Sequence, residues 1–238
     1  MMLRLRVRAP FAAFRAFTAG SYRSTAPFLT PSAAYGLILN IAGIESRRDD
    51  EKSPITLVAE GLPSIDIALG ARTLPEVQVL YQQLHNYPVG ETAKARAVDT
   101  KGNKYNIQPI RRELLSGLDA SVCLRGNEGL EHRVREGLHQ GVRFQSEGRP
   151  RYGLPFAGDN NLMVSHLNEE QDAQPVFWFT RVDRDVFPPP PNVCRLTVWV
   201  DRQVMTRTVN ELYSRAEVAA ADIPPGAWTR VPPEVSHE

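Results

Sequence analysis

Six residues near the start decide what the first element must be. Leu3, Arg4, Leu5, Arg6, Val7 and Arg8 alternate strictly between apolar and basic. A two-residue period is the mark of a β-strand with one buried face. The strand, about Met2 to Ala9, commits the chain to a sheet with a core on one side and a row of arginines on the other. Those arginines read in two ways. They can be the charged face of an edge strand that discourages aggregation. Alternatively, since three like charges without a carboxylate repel, they can face an anionic partner. An Arg-rich, acid-free beginning also resembles a mitochondrial transit peptide. The strict alternation, and Pro10 as a breaker of any leader helix, count against that.

The next element is a well-marked helix, with Thr30 as N-cap, Pro31 at its first position and Gly43 as its stop. Ala34, Leu37, Ile38 and Ile41 form its buried stripe. Further strands are expected at Ile65 to Leu69 and Leu118 to Leu124. Leu130, Val134 and Leu138 mark a second helix ending near Gly141. Strand signals recur at Leu162 to Leu167 and Val176 to Val182. A hairpin of Val193 to Val200 and Val204 to Val209 is expected to turn at Asp201 to Gln203. Pro188 to Pro191 read as a stiff polyproline connector.

Between Arg72 and Arg112 the pattern is interrupted by Pro75, Pro88 and Pro109. Six basic residues lie between positions 94 and 112 against Asp99 alone. With that stretch set aside as an insertion, the order to about residue 167 is β-α-β-β-α-β. This is an α+β, ferredoxin-like arrangement shared with RNA-recognition (RRM) modules. The expected division is therefore residues 1–167, carrying an insertion at about 72–112, and a β-rich addition at 168–238 whose tail is extended or disordered from about 222.

Charge distribution points toward a partner. Arg4, Arg6, Arg8, Arg15 and Arg23 precede the first acid, Glu45, so the first 44 residues carry +5 and the other 194 carry −4. Phe14, Phe17, Tyr22 and Tyr35 share that basic stretch. Aromatics among arginines suit a polyanion with stackable bases, which means nucleic acid. Arg15 and Arg23 can grip phosphates bidentately. Tyr22 and Tyr35, or Phe17, could stack bases. At least one of these aromatics, Phe14 first, belongs in the core. The helix start at Thr30 to Ala33 offers N–H groups to a phosphate. Gly20 and Gly36 would let a backbone approach closely. No apolar run approaches a membrane span. Cys123 and Cys194 lack any paired spacing and read as buried thiols of a reducing compartment, the cytoplasm.

The segment FRAFTAGSYRSTAPFLTPSAAYGLILNIAG resembles the N-terminal signature of the Cas-five family, a subunit of type I CRISPR surveillance complexes (Cascade). The resemblance rests on Phe14, Arg15, Phe17, Gly20, Tyr22, Arg23, Thr25, Pro27, Pro31, Ser32, Tyr35 and Gly36. It covers about a fifth of the chain. It implies a RAMP-type ferredoxin-like domain with a protruding β-hairpin thumb, which the 72–112 insertion would supply. It further implies a subunit that binds the 5′ handle of CRISPR RNA and caps the complex, beside backbone subunits and a large subunit, with target DNA reached through the complex. The candidate RNA-binding residues are Arg8, Arg15, Phe17, Gly20, Tyr22, Arg23, Thr25, Thr30, Ser32, Tyr35 and Gly36, with Lys94, Lys101, Lys104, Arg111 and Arg112 on the insertion. A stand-alone RNA-binding module is the other non-catalytic reading.

Some members of that family cleave precursor RNA without metal, which needs a base, an acid and positive charge at the phosphorane. Here His85 near Tyr87, with Lys104 and Tyr105, is the arrangement closest to that requirement. It lacks an adjacent Lys-His pair, so no catalytic residue is assigned. His132, Glu136 and His139 could share a helical face, but their charged surroundings read as exposed helix rather than a metal site. YGLPFAGDNN lacks the GK[ST] ending of a phosphate loop and reads as a turn. Neither a cofactor nor a metal is expected.

Overall fold

The computed structural model describes residues 2–16, 22–52, 56–88, 105–140, 145–146, 149–150, 154–170, 176–183, 185–218 and 222–233. The N-terminal alternation becomes β1 (Met2–Ala12), followed by β2 (Tyr22–Arg23), α1 (Pro31–Ile41), β3 (Arg47–Arg48) and β4 (Leu57–Val58). Next come β5 (Ile65–Thr73), β6 (Glu76–Pro88), β7 (Tyr105–Arg125) and α2 (Glu128–Gln140). The short β8 (Gln145–Ser146) and β9 (Arg149–Pro150) precede β10 (His166–Glu169). The chain closes with β11 (Val176–Arg181), β12 (Cys194–Trp199), β13 (Val209–Val218) and β14 (Thr229–Val231).

Among the described residues, ten strands form one large sheet along the path β10-β1-β7-β5-β11-β13-β12. β14 also pairs with β5, and β2 and β6 pair with β7. Every pairing along this path is antiparallel. α1 lies in the crossover from β1 to β5, and α2 in the one from β7 to β10. Leu3, Leu5, Val7 and Ala9 are buried in the same core as Leu37, Ile38 and Ile41 of α1 and Leu130 and Val134 of α2. Phe28 stacks on Phe179 within it, ring centroids 4.5 Å apart. A smaller core gathers Ala68, Cys123, Trp178 and Ala227.

The helix signals act as the sequence indicates. Thr30 Oγ1 accepts the Ala33 amide at 3.2 Å, with Pro31 in the first turn. Gly43 adopts φ +64° where the chain leaves α1, and the Ile44 amide bonds back to Leu39 O at 2.9 Å. Asn127 Oδ1 accepts the Leu130 amide at the start of α2. Burial pushes the thiols of Cys123 and Cys194 up to about 11, as suits unreactive cysteines.

Four expectations need correction. The arginine row of β1 does meet a carboxylate. Asp119, directly opposite Arg8 in the β1–β7 register, takes two hydrogen bonds from Arg6 at 3.0 and 2.7 Å and lies 3.7 Å from Arg8 Nε. Neutralisation comes from a strand over 100 residues away, which no local charge count detects. The strand expected at Leu118 begins instead at Tyr105, and its first part pairs with β6 from Glu76↔Ser116 to Pro88↔Tyr105. The β6 strand of this arm is open to water, with Val77, Val79, Leu80 and Tyr81 all at least half exposed, whereas Ile110 and Leu114 of β7 are buried. With no buried residue between Glu76 and Gln83, β6 has no in–out alternation to read. Finally, the expected strand at Val204 to Val209 is mostly turn, because Asp201 Oδ1 accepts the Gln203 and Val204 amides at 2.9 and 2.8 Å. The strand starts at Val209. Likewise the segment at Leu162 is a turn, with its amide bonded to Asp159 O, and β10 follows from His166.

Candidate nucleic-acid interface

The loop between β1 and α1 is closed by Thr25. Its Oγ1 accepts the Phe14 amide at 2.9 Å, and the Ala26 amide donates to Phe14 O at 2.7 Å. Phe14 is 2% exposed and anchors this closure in the core. Thr25 itself is buried, so its hydroxyl shapes the loop and is not open to a ligand. Phe17 and Gly20 lie outside the described residues, as do Lys94, Lys101 and Lys104.

Beyond the closure, β2 runs parallel to β7 with Tyr22 opposite Arg111 and Arg23 opposite Arg112. Glu113 holds this junction, accepting the Tyr22 hydroxyl at 2.6 Å and the Thr25 amide at 2.9 Å. The hydrogen bond to Glu113 is the main cause of a raised Tyr22 pKa. Tyr22, Arg23 and Arg111 are exposed and form a basic strip at the base of the β6–β7 arm. Arg112 instead turns inward to Asp159. Burial pushes the Asp159 carboxyl up, but the Arg112 hydrogen bond, the Asn161 amide and the charges of Arg112 and Arg23 outweigh it and hold the pKa below its usual value.

The other grouping is a cleft of about 310 Å³ beside the N-terminus of α1. Arg15, Thr30, Ser32, Tyr35 and Gly36 all line it, so five of the expected site residues converge there. Arg47, Trp199 and Arg202, which sequence reasoning did not select, also line it. Among the described residues no Asp or Glu lines the cleft. The Arg202 guanidinium has a lowered pKa, first from burial and then from the charges of Arg47 and Arg15. Its Nε is buried without a hydrogen-bond partner among the described residues. Three cations thus face a common space with no carboxylate among the described lining residues, and a bound anion would relieve their repulsion.

The aromatic roles divide. Tyr35 is 3% exposed, and its hydroxyl donates to Pro63 O at 2.7 Å. Burial raises its pKa. Its ring lies 6.1 Å from Trp199, tilted by 57°, so Trp199, which is half-buried, is the ring more available to a ligand. Gly36 is exposed, and a Cβ there would meet nothing within 4 Å.

Residues 2–225 match the family described as CRISPR-associated protein (Cas_Cas5). The chain belongs to that family. Among solved structures it is similar to a chain described as "CRISPR RNA-guided surveillance complex", with TM-score 0.56 and 13% identity over 93% of this chain and 92% of that one. It is also similar to one described as "Crystal structure of Cas protein", with TM-score 0.47 and 13% identity over 95% of this chain and 100% of that one. At such identity the first likeness is one of fold. No curated protein matches the sequence.

In this Cas5-family chain His85 and Tyr87 lie on β6 and Tyr105 begins β7. Tyr87 pairs with Asn106 and Pro88 with Tyr105, which brings Tyr87 and Tyr105 to adjacent strands one register step apart; Lys104 is outside the described residues. On α2, His132 is 3.5 Å from Glu136 and 74% exposed, a surface pair. Among the described residues no three His, Cys, Asp or Glu side chains gather to hold a metal. No described helix is long and apolar enough to cross a membrane.

Proposed function

We propose that this Cas5-family chain is a subunit of a type I CRISPR surveillance complex that grips the 5′ handle of CRISPR RNA and caps one end of the complex. Backbone and large subunits are its neighbours, and target DNA is read by guide pairing rather than by this chain. The observation that carries the reading is the acid-free cleft, where Arg15, Arg47 and Arg202 meet the N-terminus of α1. Family membership supports it, as does the fold shared with a chain of an RNA-guided complex. The sheet order β10-β1-β7-β5, with a helix in each crossover, supports reading the core as ferredoxin-like. The β6–β7 arm would then be the thumb.

Handle binding is expected to depend on the exposed arginines. Arg15→Ala and Arg23→Ala each weaken binding of handle RNA by about 1–3 kcal/mol, as loss of a charge-assisted phosphate contact does. Each also reduces the salt slope of log K by about one. A filter-binding series across salt concentrations checks both, and unchanged slopes in either variant would remove that residue from the interface.

We read the chain as non-catalytic. The proximity of Tyr87 and Tyr105 in the arm keeps metal-independent cleavage of precursor RNA as the second reading. Labelled precursor CRISPR RNA, incubated with the protein in EDTA and run on native and denaturing gels, separates them. A shift without a cut is the expected result. A discrete cut in the repeat overturns the non-catalytic reading, and absence of any shift counts against independent handle binding.

A further inference from the structure

Half of the cleft comes from parts of the chain far from the N-terminal motif. Arg47 belongs to β3, Trp199 ends β12, and Arg202 lies in the turn that follows. Two kinds of chemistry therefore meet in one small space, a cluster of cations and an aromatic plate. We propose that the cleft is a one-nucleotide pocket: it takes a single unpaired nucleotide, with its phosphate among Arg15, Arg47 and Arg202 and its base against Trp199. This rests on the RNA-binding reading above and names what that site holds.

Size, charge and preorganisation all favour this ligand. A cleft of about 310 Å³ lies at the small end of ligand pockets and excludes a duplex. Guanidinium forks fit phosphate oxygens in pairs, which ammonium groups cannot do. Among the described residues the lining holds no Asp or Glu, so no internal carboxylate there competes for the cations. Trp199 is already braced by Tyr35, whose own hydroxyl is tied to Pro63, so little side-chain freedom is lost when a base stacks on it. Stacking is tolerant of base identity, so the pocket selects an unpaired nucleotide rather than a sequence. Gly36 adds no side chain to the lining. The β12–β13 connection thereby becomes part of the RNA site and not only an extension of the sheet.

Tryptophan fluorescence of the full chain tests this. Trp178 is fully buried and Trp228 lies under Arg125, whose guanidinium carbon is 4.0 Å from its ring centroid, so quenching by a stacked base reports chiefly on Trp199. The probes are an oligoadenylate octamer, adenosine monophosphate and adenosine. The octamer is expected to quench, and adenosine, lacking phosphate, to do so far more weakly. Quenching by the octamer alone assigns the pocket to an RNA strand, and quenching by the monophosphate as well assigns it to the nucleotide itself; either supports the proposal. Arg47→Gln and Arg202→Gln are expected to raise the octamer concentration needed about tenfold each. Trp199→Ala weakens octamer binding roughly tenfold or more, whereas Trp199→Phe keeps it within about threefold and loses the quench. Octamer binding by all these variants at wild-type strength overturns the pocket. If the same variants also shift repeat-containing precursor RNA normally, the pocket fails and the handle reading stands. Octamer binding through Trp199 and the arginines, with no shift of the precursor by the wild type, leaves the pocket and removes the handle reading.

Discussion

Gly158→Ala is expected to destabilise the protein by about 3 kcal/mol, from left-handed strain of ~1–2 and overpacking of ~1–3. Gly158 sits at φ +88°, and a Cβ built there would lie 2.1 Å from Ala13 O and 2.8 Å from Phe14 Cδ1. The neighbours cannot yield cheaply. The Ala13 amide donates to Ala157 O at 3.0 Å, the Ala157 amide to Leu162 O at 2.7 Å, and Phe14 is locked in the core by Thr25. Any retreat of the Ala13 carbonyl moves the backbone that carries Arg15, so RNA affinity should fall along with stability. Gly61→Ala is the internal control: φ is +69° there but nothing lies within 4 Å of a Cβ, so only the strain of about 1–2 kcal/mol applies. Thermal melts of the two variants separate clash from strain, since each kcal/mol moves Tm by about 2–4 °C in a chain of this size. Equal losses in both would mean that the loop does not press on Ala13 as described. Unchanged RNA binding by folded Gly158→Ala would sever the loop from the site.

What the sequence disclosed, and what it concealed, follows from how each feature is encoded. β1 was legible because one face is buried and one is not, so its period of two is written in consecutive residues. α1 was legible because its signals are local: Thr30 caps it three residues away, and Gly43 ends it at a positive φ. The β6–β7 pairing left no such trace, since β6 is exposed from Glu76 to Gln83 and no buried face imposes alternation on it. The motif half of the cleft could be picked out because Arg15, Thr30, Ser32, Tyr35 and Gly36 lie close together in the chain. Arg47 sits in no motif, and Arg202 stands out in the sequence only as the middle of a turn. The local signal at the turn was correct in kind, because Asp201 does organise it. That signal gave no indication that Arg202 faces Arg15, since the two meet only once β12 and β13 have joined the sheet. The arginine row misled for the same reason. A count of nearby charges found no acid, while the acid that matters, Asp119, arrives by strand pairing.

Gly137→Ala tests the helix layer and the sign of two opposed effects. In an exposed helix the change would stabilise by about 0.8–1 kcal/mol through propensity alone. In α2 a Cβ at Gly137 would lie 1.9 Å from Ile41 O and 2.8 Å from Ile41 C, so the backbone of α1 must move. Ile41 is the last residue of α1, and Arg133 Nε also donates to Ala42 O at 3.1 Å, so both contacts fix the same end of that helix. Overpacking against main chain costs ~1–3 kcal/mol and can exceed that where nothing flexible can give. The clash therefore wins, and a net loss of about 2 kcal/mol is expected in urea or thermal unfolding. Gly129→Ala, earlier in the same helix, provides the contrast. Its Cβ would approach only Asn127 Oδ1, at 3.6 Å, so propensity acts there without a clash and stability should hold or rise. The consequence extends to the cleft, because the opposite end of α1 presents Thr30 and Ser32 there. A Gly137→Ala protein that is folded but binds RNA more weakly would show that α2 sets the position of the site through α1. A variant more stable than the wild type would mean that the helices do not cross at Gly137 as closely as the 1.9 Å approach requires.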